Sequence, residues 1–167
     1  MKISGVAWRA MSAYDLPAVA EIAGVVHPKF PEAPEVLAER QSLYHNGAYL
    51  LEIGERPAGY VLSHPWRFGT LPALDSLLGE IPLDADTYYI HDLALLPVAR
   101  RIGAATFITN ALAKHARARA FPTMSLIAVN GSAGFWGRHE FELADVPHLN
   151  EKLMSYENEA RLMVRRL

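Results

Sequence analysis

The sequence predicts a single α/β domain in which helices flank a sheet of mixed strand direction. Its 167 residues are about the length of one domain. Hydrophobic residues make up 51% of the chain and charged residues 20%, which is typical of a globular protein and excludes disorder over most of the length. A hairpin pattern, followed by a strand, a helix and a strand, indicates that the sheet has both antiparallel and parallel neighbours.

The first half of the chain predicts a strand, two helices and a hairpin. Val6–Ala10 has the pattern of a short strand, and Asp15, placed just before an apolar helical stripe, is typical of a helix N-cap. A second helix is predicted over 35–44, where a turn dipeptide ends it. The extended runs 48–53 and 58–62 are joined by a short turn, so we expect them to pair as antiparallel neighbours.

The second half predicts two parallel strands joined by a helix. Strands are predicted over 87–96 and 124–129, and the helix between them begins near Gly103. The apolar stripe of this helix, at spacings of three and four residues, consists of Ala105, Ile108, Leu112 and Ala116. A strand, helix, strand order implies a right-handed crossover between parallel strands. A short helix capped by Ser132 and a terminal strand over 160–167 complete the chain.

The connection 63–86 is rich in proline, glycine and acidic residues, and only 74–78 has the pattern of a short helix. A connection this long inside a small domain indicates either a missed element or a functional loop. His64 and Trp66 stand at its start, and we expect them to line a substrate site. A cis-proline corner at Pro65 with a packed tryptophan is the structural alternative.

Charge and residue usage exclude several classes of protein. With 16 Lys plus Arg against 18 Asp plus Glu, the net charge of −2 gives no basic field for nucleic acid or anionic lipid. The absence of cysteine excludes disulfides, thiolate metal sites and a cysteine nucleophile. Arg9 follows Met1 too closely for a signal peptide, and no long apolar run occurs. We expect a soluble cytoplasmic protein that can form a homodimer and that binds no metal, nucleic acid or membrane.

The junction 97–106 is the first candidate for chemistry, because a strand end leads through small residues into a helix start. The first N–H groups of a helix have no intrahelical partner, and its dipole places partial positive charge there. Gly103 and Ala105 leave the backbone open to a diphosphate, and Arg100 and Arg101 add positive charge. An ordinary loop with two surface arginines is the alternative.

The spacing Arg-x-x-Gly-x-Ala, formed by Arg100, Gly103 and Ala105, resembles the phosphate-binding pattern of the GNAT superfamily of acetyl-CoA-dependent N-acetyltransferases. A second motif of that family follows the next strand. Its counterparts here are Asn130, Ala133, the aromatic pair Phe135 and Trp136, and Phe141. The order of the predicted elements also matches, so the resemblance covers nearly the whole chain.

The resemblance implies a GNAT fold over residues 1–167: a mostly antiparallel central sheet with a splayed parallel strand pair, flanked by helices. It implies that acetyl-CoA lies in the splay, with its pantetheine arm along 93–95 and its pyrophosphate on the N–H groups of 101–106. The residues expected at the coenzyme are Leu93, Ala94, Leu95, Arg100, Arg101, Ile102, Gly103, Ala104, Ala105, Thr106, Asn130 and Trp136.

Acetyl transfer to an amine needs a group that takes up the amine's proton, since an amine of pKa near 10.4 is only about 0.1% neutral at about pH 7.4. Asp92 is the first candidate, because a polar residue recurs at this place in the family, and His91 is the second. Strand alternation predicts that they face opposite sides of the sheet unless a bulge intervenes. Trp136 replaces the tyrosine that family members use as an acid, and its indole N–H is not a usable acid. Tyr156 is therefore the candidate acid; a structural role is the alternative for all three.

The sequence thus predicts an N-acetyltransferase that passes acetyl from acetyl-CoA directly to an amine, with a small molecule favoured as acceptor. Direct attack is expected because no cysteine can carry a covalent acetyl group. Two alternatives stay open. The chain could be a CoA-binding module that has lost catalysis, or a protein acetylase in which the proline-rich segment around Lys29 and Glu32 recruits a basic peptide.

Overall fold

A computed structural model describes residues 5–167 as seven strands in one sheet, with helices on both faces. The strands are β1 (Val6–Ala10), β2 (Ala48–Ile53), β3 (Arg56–Trp66), β4 (Thr87–Leu95), β5 (Thr123–Ala128), β6 (Glu142–Leu143) and β7 (Arg161–Arg166). The α-helices are α1 (Leu16–Val26), α2 (Pro34–Leu43), α3 (Ala104–Ala118), α4 (Ala133–Gly137) and α5 (Asn150–Met154). Residues 1–4, the start of the expected domain and of the segment inspected for a signal peptide, lie outside the described part.

The sheet has the order β1-β2-β3-β4-β5-β7-β6, and every neighbouring pair is antiparallel except β4 and β5. The predicted hairpin is therefore confirmed as β2 and β3, and the predicted parallel pair as β4 and β5. In the described residues, no helix is long and apolar enough to cross a membrane.

The parallel pair separates partway along its length. Strands β4 and β5 are paired only from Tyr88 to Ile90, opposite Met124 to Leu126. Beyond that point β4 continues to Leu95 bonded to β3 alone, while β5 stays bonded to β7 on its other edge. A wedge-shaped opening results, and among residues 5–167 no strand pairs with the backbone of β4 on this edge.

Each face of the sheet has its own apolar core. On one face, Val19 and Ile22 of α1 and Leu37 of α2 pack against Tyr60 and Leu62 of β3. On the other, α3 packs against β4 and β5, and the stripe predicted for this helix is confirmed. Its buried members are Ala105, Ile108, Leu112 and Ala116. The sheet and both helical layers together hold the opening between β4 and β5 in place.

The largest departure from the sequence prediction is the length of β3. Strand β3 runs to Trp66, with His64 opposite Tyr89 and Trp66 opposite Thr87. Proline at position 65 lacks an N–H, which is why the sequence reads as a strand end there, yet pairing with β4 continues through it. The alternative of a cis-proline corner is therefore wrong, because the described residues contain no cis peptide bond, although Trp66 is packed as that alternative expected. The connection to β4 is 67–86, and the short helix expected over 74–78 does not form.

Hydrogen bonds from α2 hold the connection 67–86 in place. The carboxylate of Glu39 accepts bonds from the N–H groups of Leu78 at 2.6 Å and Gly79 at 3.0 Å. The buried Arg40 donates through Nη2 to the carbonyl of Ser76 at 3.0 Å. These contacts fix the segment as a wall beside the sheet. Strand β6 and helix α5, which the sequence did not predict, lie in the segment between Phe141 and β7.

Candidate active site

The end of β4 and the start of α3 enclose a cavity of about 470 Å³, which we call the cradle cavity. Within residues 5–167, none of the N–H groups from Arg101 to Thr106 donates a hydrogen bond to a backbone carbonyl. A run of free amides at a helix N-terminus, where the helix dipole adds partial positive charge, is suited to an anion such as a diphosphate.

Left-handed backbone at two positions shapes the turn that contains these amides. Arg101 has φ of 61° and Gly103 has φ of 83°. Glycine adopts this region without strain, and a Cβ built on Gly103 would meet no atom within 4 Å. The space in front of Gly103 is therefore open to a ligand. Arg100 donates through Nε to the carbonyl of Leu95 at 3.1 Å and so ties the strand end to the turn.

Eight of the residues expected at the coenzyme line this cavity: Leu93, Leu95, Arg100, Arg101, Gly103, Ala104, Ala105 and Thr106. The side chains of the other four lie elsewhere. Ala94 is buried against α1 on the opposite face, and Ile102 packs in an apolar cluster behind the turn. Asn130 lies in the turn after β5, where its N–H donates to Glu157 at 2.6 Å. Trp136 is buried, with its ring centroid 5.4 Å from that of Phe141.

Helix α4 presents a different face to the cradle cavity from the one that the sequence motif suggested. Phe135, Arg138 and His139 line the cavity, and Trp136 does not. Phe135 is in α4, and Arg138 and His139 follow directly after its end; at spacings of i, i+3 and i+4 the three lie on one side of this turn, while Trp136 turns into the core. That spacing is visible in the sequence and is the signal that could have identified them.

A second cavity, of about 350 Å³, begins at Asp92, and we call it the acceptor cavity. Five separate segments supply its walls: 27–32 between α1 and α2, 72–74 of the β3–β4 connection, 89–92 of β4, 127–129 at the end of β5, and 155–156 before β7. The two cavities meet at consecutive residues. Asp92 lines the acceptor cavity and the next residue, Leu93, lines the cradle cavity. Likewise, His27 lines the acceptor cavity and the preceding residue, Val26, lines the cradle cavity.

A β-bulge in β4 brings both predicted proton acceptors to the acceptor cavity. Leu62 of β3 is opposite Asp92, while the next residue, Ser63, is opposite Ile90, so His91 is the extra residue. Strand alternation alone would have placed His91 and Asp92 on opposite faces, and the bulge removes that separation. Both side chains consequently line the same cavity.

Asp92 is a carboxylate held by two donors. His27 donates through Nε2 to Oδ1 at 2.7 Å, and the hydroxyl of Tyr60 donates to Oδ2. Burial opposes the charge of Asp92, but the bond and charge of His27, with the charge of His91, outweigh it and lower the pKa of Asp92. Burial also opposes the charge of His27, and its bond to Asp92 outweighs this and raises the pKa of His27. The two therefore form an ion pair, and Asp92 is a weak proton acceptor.

His91 is held in a different way. Its Nε2 donates to Oε1 of Glu32 at 2.8 Å, and both side chains are mostly buried. A carboxylate accepts hydrogen bonds only, so Nε2 carries the ring proton in the neutral form and Nδ1 carries the lone pair. Nδ1 has no partner among the described residues and, unlike Nδ1 of His27, is not sealed from solvent. A carboxylate that orients an imidazole with a free nitrogen is an arrangement suited to proton uptake.

Tyr156 also lines the acceptor cavity, from the segment before β7. Its hydroxyl donates to the carbonyl of Pro72 in the β3–β4 connection. Burial, reinforced by the charge of Glu32, raises the pKa of Tyr156 to about 12. Tyr156 therefore keeps its proton across the neutral range, as a donor must.

His64 and Trp66 do not line the acceptor cavity, contrary to the sequence prediction. Both are buried within β3, and Trp66 donates through Nε1 to the carbonyl of Thr70 at 2.8 Å. Burial lowers the pKa of His64 to about 3, so it is neutral. Its ring lies 5.6 Å from that of Tyr89, which does reach the cavity. Within residues 5–167, no group of three His, Asp or Glu side chains is arranged to hold a metal ion.

Comparison with known proteins gives a family and a fold. The model of the acetyltransferase (GNAT) family matches residues 12–141. A search of curated proteins found no match. Among solved structures, the loading GNATL domain of CurA from Lyngbya majuscula superposes with a TM-score of 0.79 at 10% identity, over 96% of this chain and 97% of that one.

Two further structures contain coenzyme groups. Arabidopsis thaliana Naa50, in complex with the bisubstrate analogue CoA-Ac-MVNAL, has a TM-score of 0.71 at 13% identity, over 98% of this chain and 99% of that one. N-acetylglutamate synthase from Neisseria gonorrhoeae, complexed with coenzyme A and N-acetyl-glutamate, has a TM-score of 0.68 at 20% identity, over 99% of this chain and 36% of that one. At these identities the likeness shows the fold.

Proposed function

The chain belongs to the acetyltransferase (GNAT) family, and on that basis we propose that it transfers acetyl from acetyl-CoA directly to the amine of a small molecule. The observation that carries the proposal is the run of free amides from Arg101 to Thr106 in the cradle cavity, which adjoins the acceptor cavity at Leu93 and Asp92. One cavity suits a diphosphate, and the next contains groups suited to proton transfer.

The cradle cavity has the features that acetyl-CoA requires. The amides of 101–106 face its pyrophosphate, and Arg101 and Arg138 add positive charge beside them. The unpaired edge of β4 offers backbone groups to the amide groups of the pantetheine arm, as a neighbouring strand would. This path leads the thioester toward the boundary between Leu93 and Asp92. The coenzyme groups bound by Naa50 and by N-acetylglutamate synthase, which share the fold, support this assignment.

His91 takes the proton in the proposed mechanism, and Glu32 orients it. The ammonium of the acceptor loses one proton to Nδ1 of His91, and the free amine attacks the thioester carbonyl carbon. A C–N bond forms, the C–S bond breaks, and the second nitrogen proton passes to water as the amide forms. Asp92 positions His27 instead of accepting the proton, because its pKa is lowered.

Tyr156 supplies a proton to the departing thiolate in this scheme and regains one from water. Its hydroxyl must first leave the carbonyl of Pro72. A thiolate with an ordinary pKa near 8.5 is a good leaving group, so the contribution of Tyr156 is modest. Because the chain contains no cysteine, no acetyl-cysteine intermediate can form, which favours direct attack with the two substrates bound together.

A small molecule is the preferred acceptor because the acceptor cavity is walled by five segments. The β3–β4 connection, tied to α2 through Glu39 and to Tyr156 through Pro72, closes one side. A site for a protein acceptor would need a groove open at the side where the polypeptide leaves.

Calorimetric titration with acetyl-CoA, desulfo-CoA and ATP tests the coenzyme part of the proposal. We expect micromolar binding of both CoA compounds and none of ATP. A panel of amines, assayed for CoA release, then tests catalysis. Release that depends on a small amine supports the transferase. Binding of acetyl-CoA without amine-dependent release would instead indicate a CoA-binding module, and preferential turnover of peptides would indicate a protein acetylase.

A further inference from the structure

One tyrosine of the acceptor cavity is buried, and its hydroxyl has no protein partner. Tyr89 of β4 is only 5% exposed, and its side chain lines the cavity. Within residues 5–167 no group is hydrogen-bonded to its hydroxyl, yet the oxygen is not sealed inside the protein, in contrast to Nε2 of His64. A buried tyrosine hydroxyl usually has a hydrogen-bond partner. The hydroxyl of Tyr89 therefore faces the space that the acceptor would occupy.

The ring of Tyr89 is held in place by the sheet. His64 is opposite Tyr89 in the register of β3 and β4, and the centroids of the two rings are 5.6 Å apart. Burial raises the pKa of Tyr89 well above its ordinary value, so the hydroxyl keeps its proton at neutral pH. Tyr89 thus presents a hydrogen-bond donor at a fixed place in the cavity.

The amine end of the acceptor is placed by His91 and Glu32. Nδ1 of His91 takes the proton in the proposed mechanism, and Oε2 of Glu32, unlike Oε1, has no partner among the described residues. A free carboxylate oxygen attracts the ammonium before it loses its proton. Tyr89 and His91 are two residues apart on β4, so roughly 6 to 7 Å separates their Cα atoms. A short carbon chain can connect groups bound at these two places.

Taking the proposed function as the premise, we infer that Tyr89 is a specificity-determining residue and that the acceptor is a primary amine whose body carries a hydrogen-bond-accepting oxygen, such as a hydroxyl or an amide carbonyl. The amine lies at His91, and the oxygen accepts the hydrogen bond of the Tyr89 hydroxyl. A simple alkylamine would leave that hydroxyl unpaired, which weakens binding. Ile127 and Val129, which also line the cavity, offer apolar surface to the carbons between the two groups.

Terminal amino alcohols and alkylamines of equal size give a matched test, because each pair differs only by a hydroxyl against a methyl group. The pairs are aminopropanol with butylamine, aminobutanol with pentylamine, and aminopentanol with hexylamine. A cavity of about 350 Å³ has room for each, at roughly 30 Å³ for a group the size of water. Calorimetry on the protein saturated with desulfo-CoA, which cannot react, gives the preference for the alcohol in each pair as a ratio of two Kd values.

Tyr89→Phe isolates the contribution of the hydroxyl. Phenylalanine keeps the ring against His64, and no hydrogen bond among the described residues is lost, so we expect the variant to fold, as urea unfolding can verify. We expect Tyr89→Phe to lower the preference for the alcohol about fivefold in at least one pair. Tyr44→Phe removes a hydroxyl that is bonded to His115 outside both cavities, and it is expected to leave every preference unchanged.

Three binding results would overturn the inference. The first is the same preference in the wild type and in Tyr89→Phe for all three pairs, which would mean that the hydroxyl faces only water. The second is a preference that Tyr44→Phe alters as much as Tyr89→Phe does. The third is no binding of any amine in the panel.

Turnover separates failure of this inference from failure of the proposed function. CoA release from acetyl-CoA with the alcohols, at a kcat/KM that Tyr89→Phe lowers more for alcohols than for alkylamines, supports both. A fall in kcat that is the same for both members of every pair would assign Tyr89 to catalysis and overturn its role in specificity. If the binding preference depends on Tyr89 but no amine releases CoA, the proposed transferase activity is wrong while the binding site stands.

Discussion

The cradle cavity and the acceptor cavity lie next to each other but are built in different ways. The cradle depends on backbone amides from six consecutive residues, 101–106, at the end of one strand and the start of one helix. The acceptor cavity depends on side chains from five segments spread between His27 and Tyr156. A backbone site is specified by local conformation, whereas a side-chain site requires the whole fold to be in place first.

Because of this difference, substitutions can change the ligand preference of one cavity without changing that of the other. The cradle can bind one chemical group, a diphosphate, with almost any side chains that leave the amides open. The acceptor cavity can change its preference by one substitution in any of its walls, without disturbing the turn before α3. Substitutions in the two regions should therefore affect different steps, and the predictions below test that separation.

Gly103→Glu is expected to have the largest effect. The new side chain enters the open space in front of the amides, adds a negative charge beside the pyrophosphate, and forces a non-glycine residue to φ of 83°. We expect acetyl-CoA affinity to fall about a thousandfold or more by calorimetry. Gly54→Glu, at an exposed left-handed turn with equally open space, is the matched control and should bind acetyl-CoA normally. Unchanged affinity in folded Gly103→Glu would show that the cradle does not hold the coenzyme.

His91→Gln should act on the other cavity and leave the cradle intact. Glutamine can still donate to Glu32 but cannot take up a proton, so we expect kcat to fall about a hundredfold and acetyl-CoA affinity to stay unchanged. The loss of kcat at acid pH expected of the wild type should be absent from the variant. His115→Gln, on α3 beside Tyr44, is the control. If kcat and its pH dependence match those of the wild type, His91 is not the base.

Asp92→Asn should reduce stability in a way that depends on pH. The pKa of Asp92 is lowered by folding, so its contribution is complete above about pH 4 and is lost as the pH falls through the folded pKa. The pKa of His27 is raised, so its contribution is complete below about pH 6.5 and is lost as the pH rises through the folded pKa. We expect Asp92→Asn to lower the free energy of unfolding by about 2 kcal/mol near pH 5.5, and by less near pH 9.

Urea unfolding at the two pH values measures this effect. Asp84→Asn is the control, since Asp84 pairs with Arg67 at the exposed surface and its loss should change stability little at either pH. Equal destabilisation by Asp92→Asn at both pH values would contradict the assignment of His27 and Asp92 as an ion pair. Acetyl-CoA affinity should be unaffected, because neither residue lines the cradle cavity.

The sequence was sufficient to predict the cradle and most of the fold, because those features depend on short segments. The turn before α3, its apolar stripe and each strand of the hairpin and of the parallel pair follow from patterns within short consecutive segments, and the order of those segments gives the pairing. Where the motif was applied residue by residue, it misled at Trp136. That aromatic ring faces the core, and Phe135 of α4, with His139 just beyond the end of the helix, lines the cavity.

The acceptor cavity was only partly predictable, for a physical reason. The bulge that brings His91 and Asp92 to one side arises from the register between β3 and β4, which no single strand encodes. Because β3 extends through Pro65, His64 and Trp66 lie within the sheet, and Pro72 and its neighbours form that wall of the acceptor cavity instead. His27 became a functional candidate only when the fold placed it against Asp92, and Glu32, which the sequence suggested only as a residue that recruits a basic peptide, is bonded to His91 instead.

Tyr156→Phe is expected to have the smallest effect, and it separates two roles that the geometry combines. Loss of the hydroxyl removes a proton donor and also the bond to the carbonyl of Pro72. As an acid, Tyr156 should matter most at alkaline pH, where water supplies protons poorly, so kcat should fall about fivefold there and less near pH 7. If Tyr156 instead holds the β3–β4 connection in place, loss of its hydroxyl should raise the KM of the amine equally at every pH. Glu39→Gln loosens the same connection from its other end, because it weakens the bonds to Leu78 and Gly79. A change confined to KM in both variants would assign Tyr156 to the wall of the acceptor cavity and leave the thiolate to depart unaided.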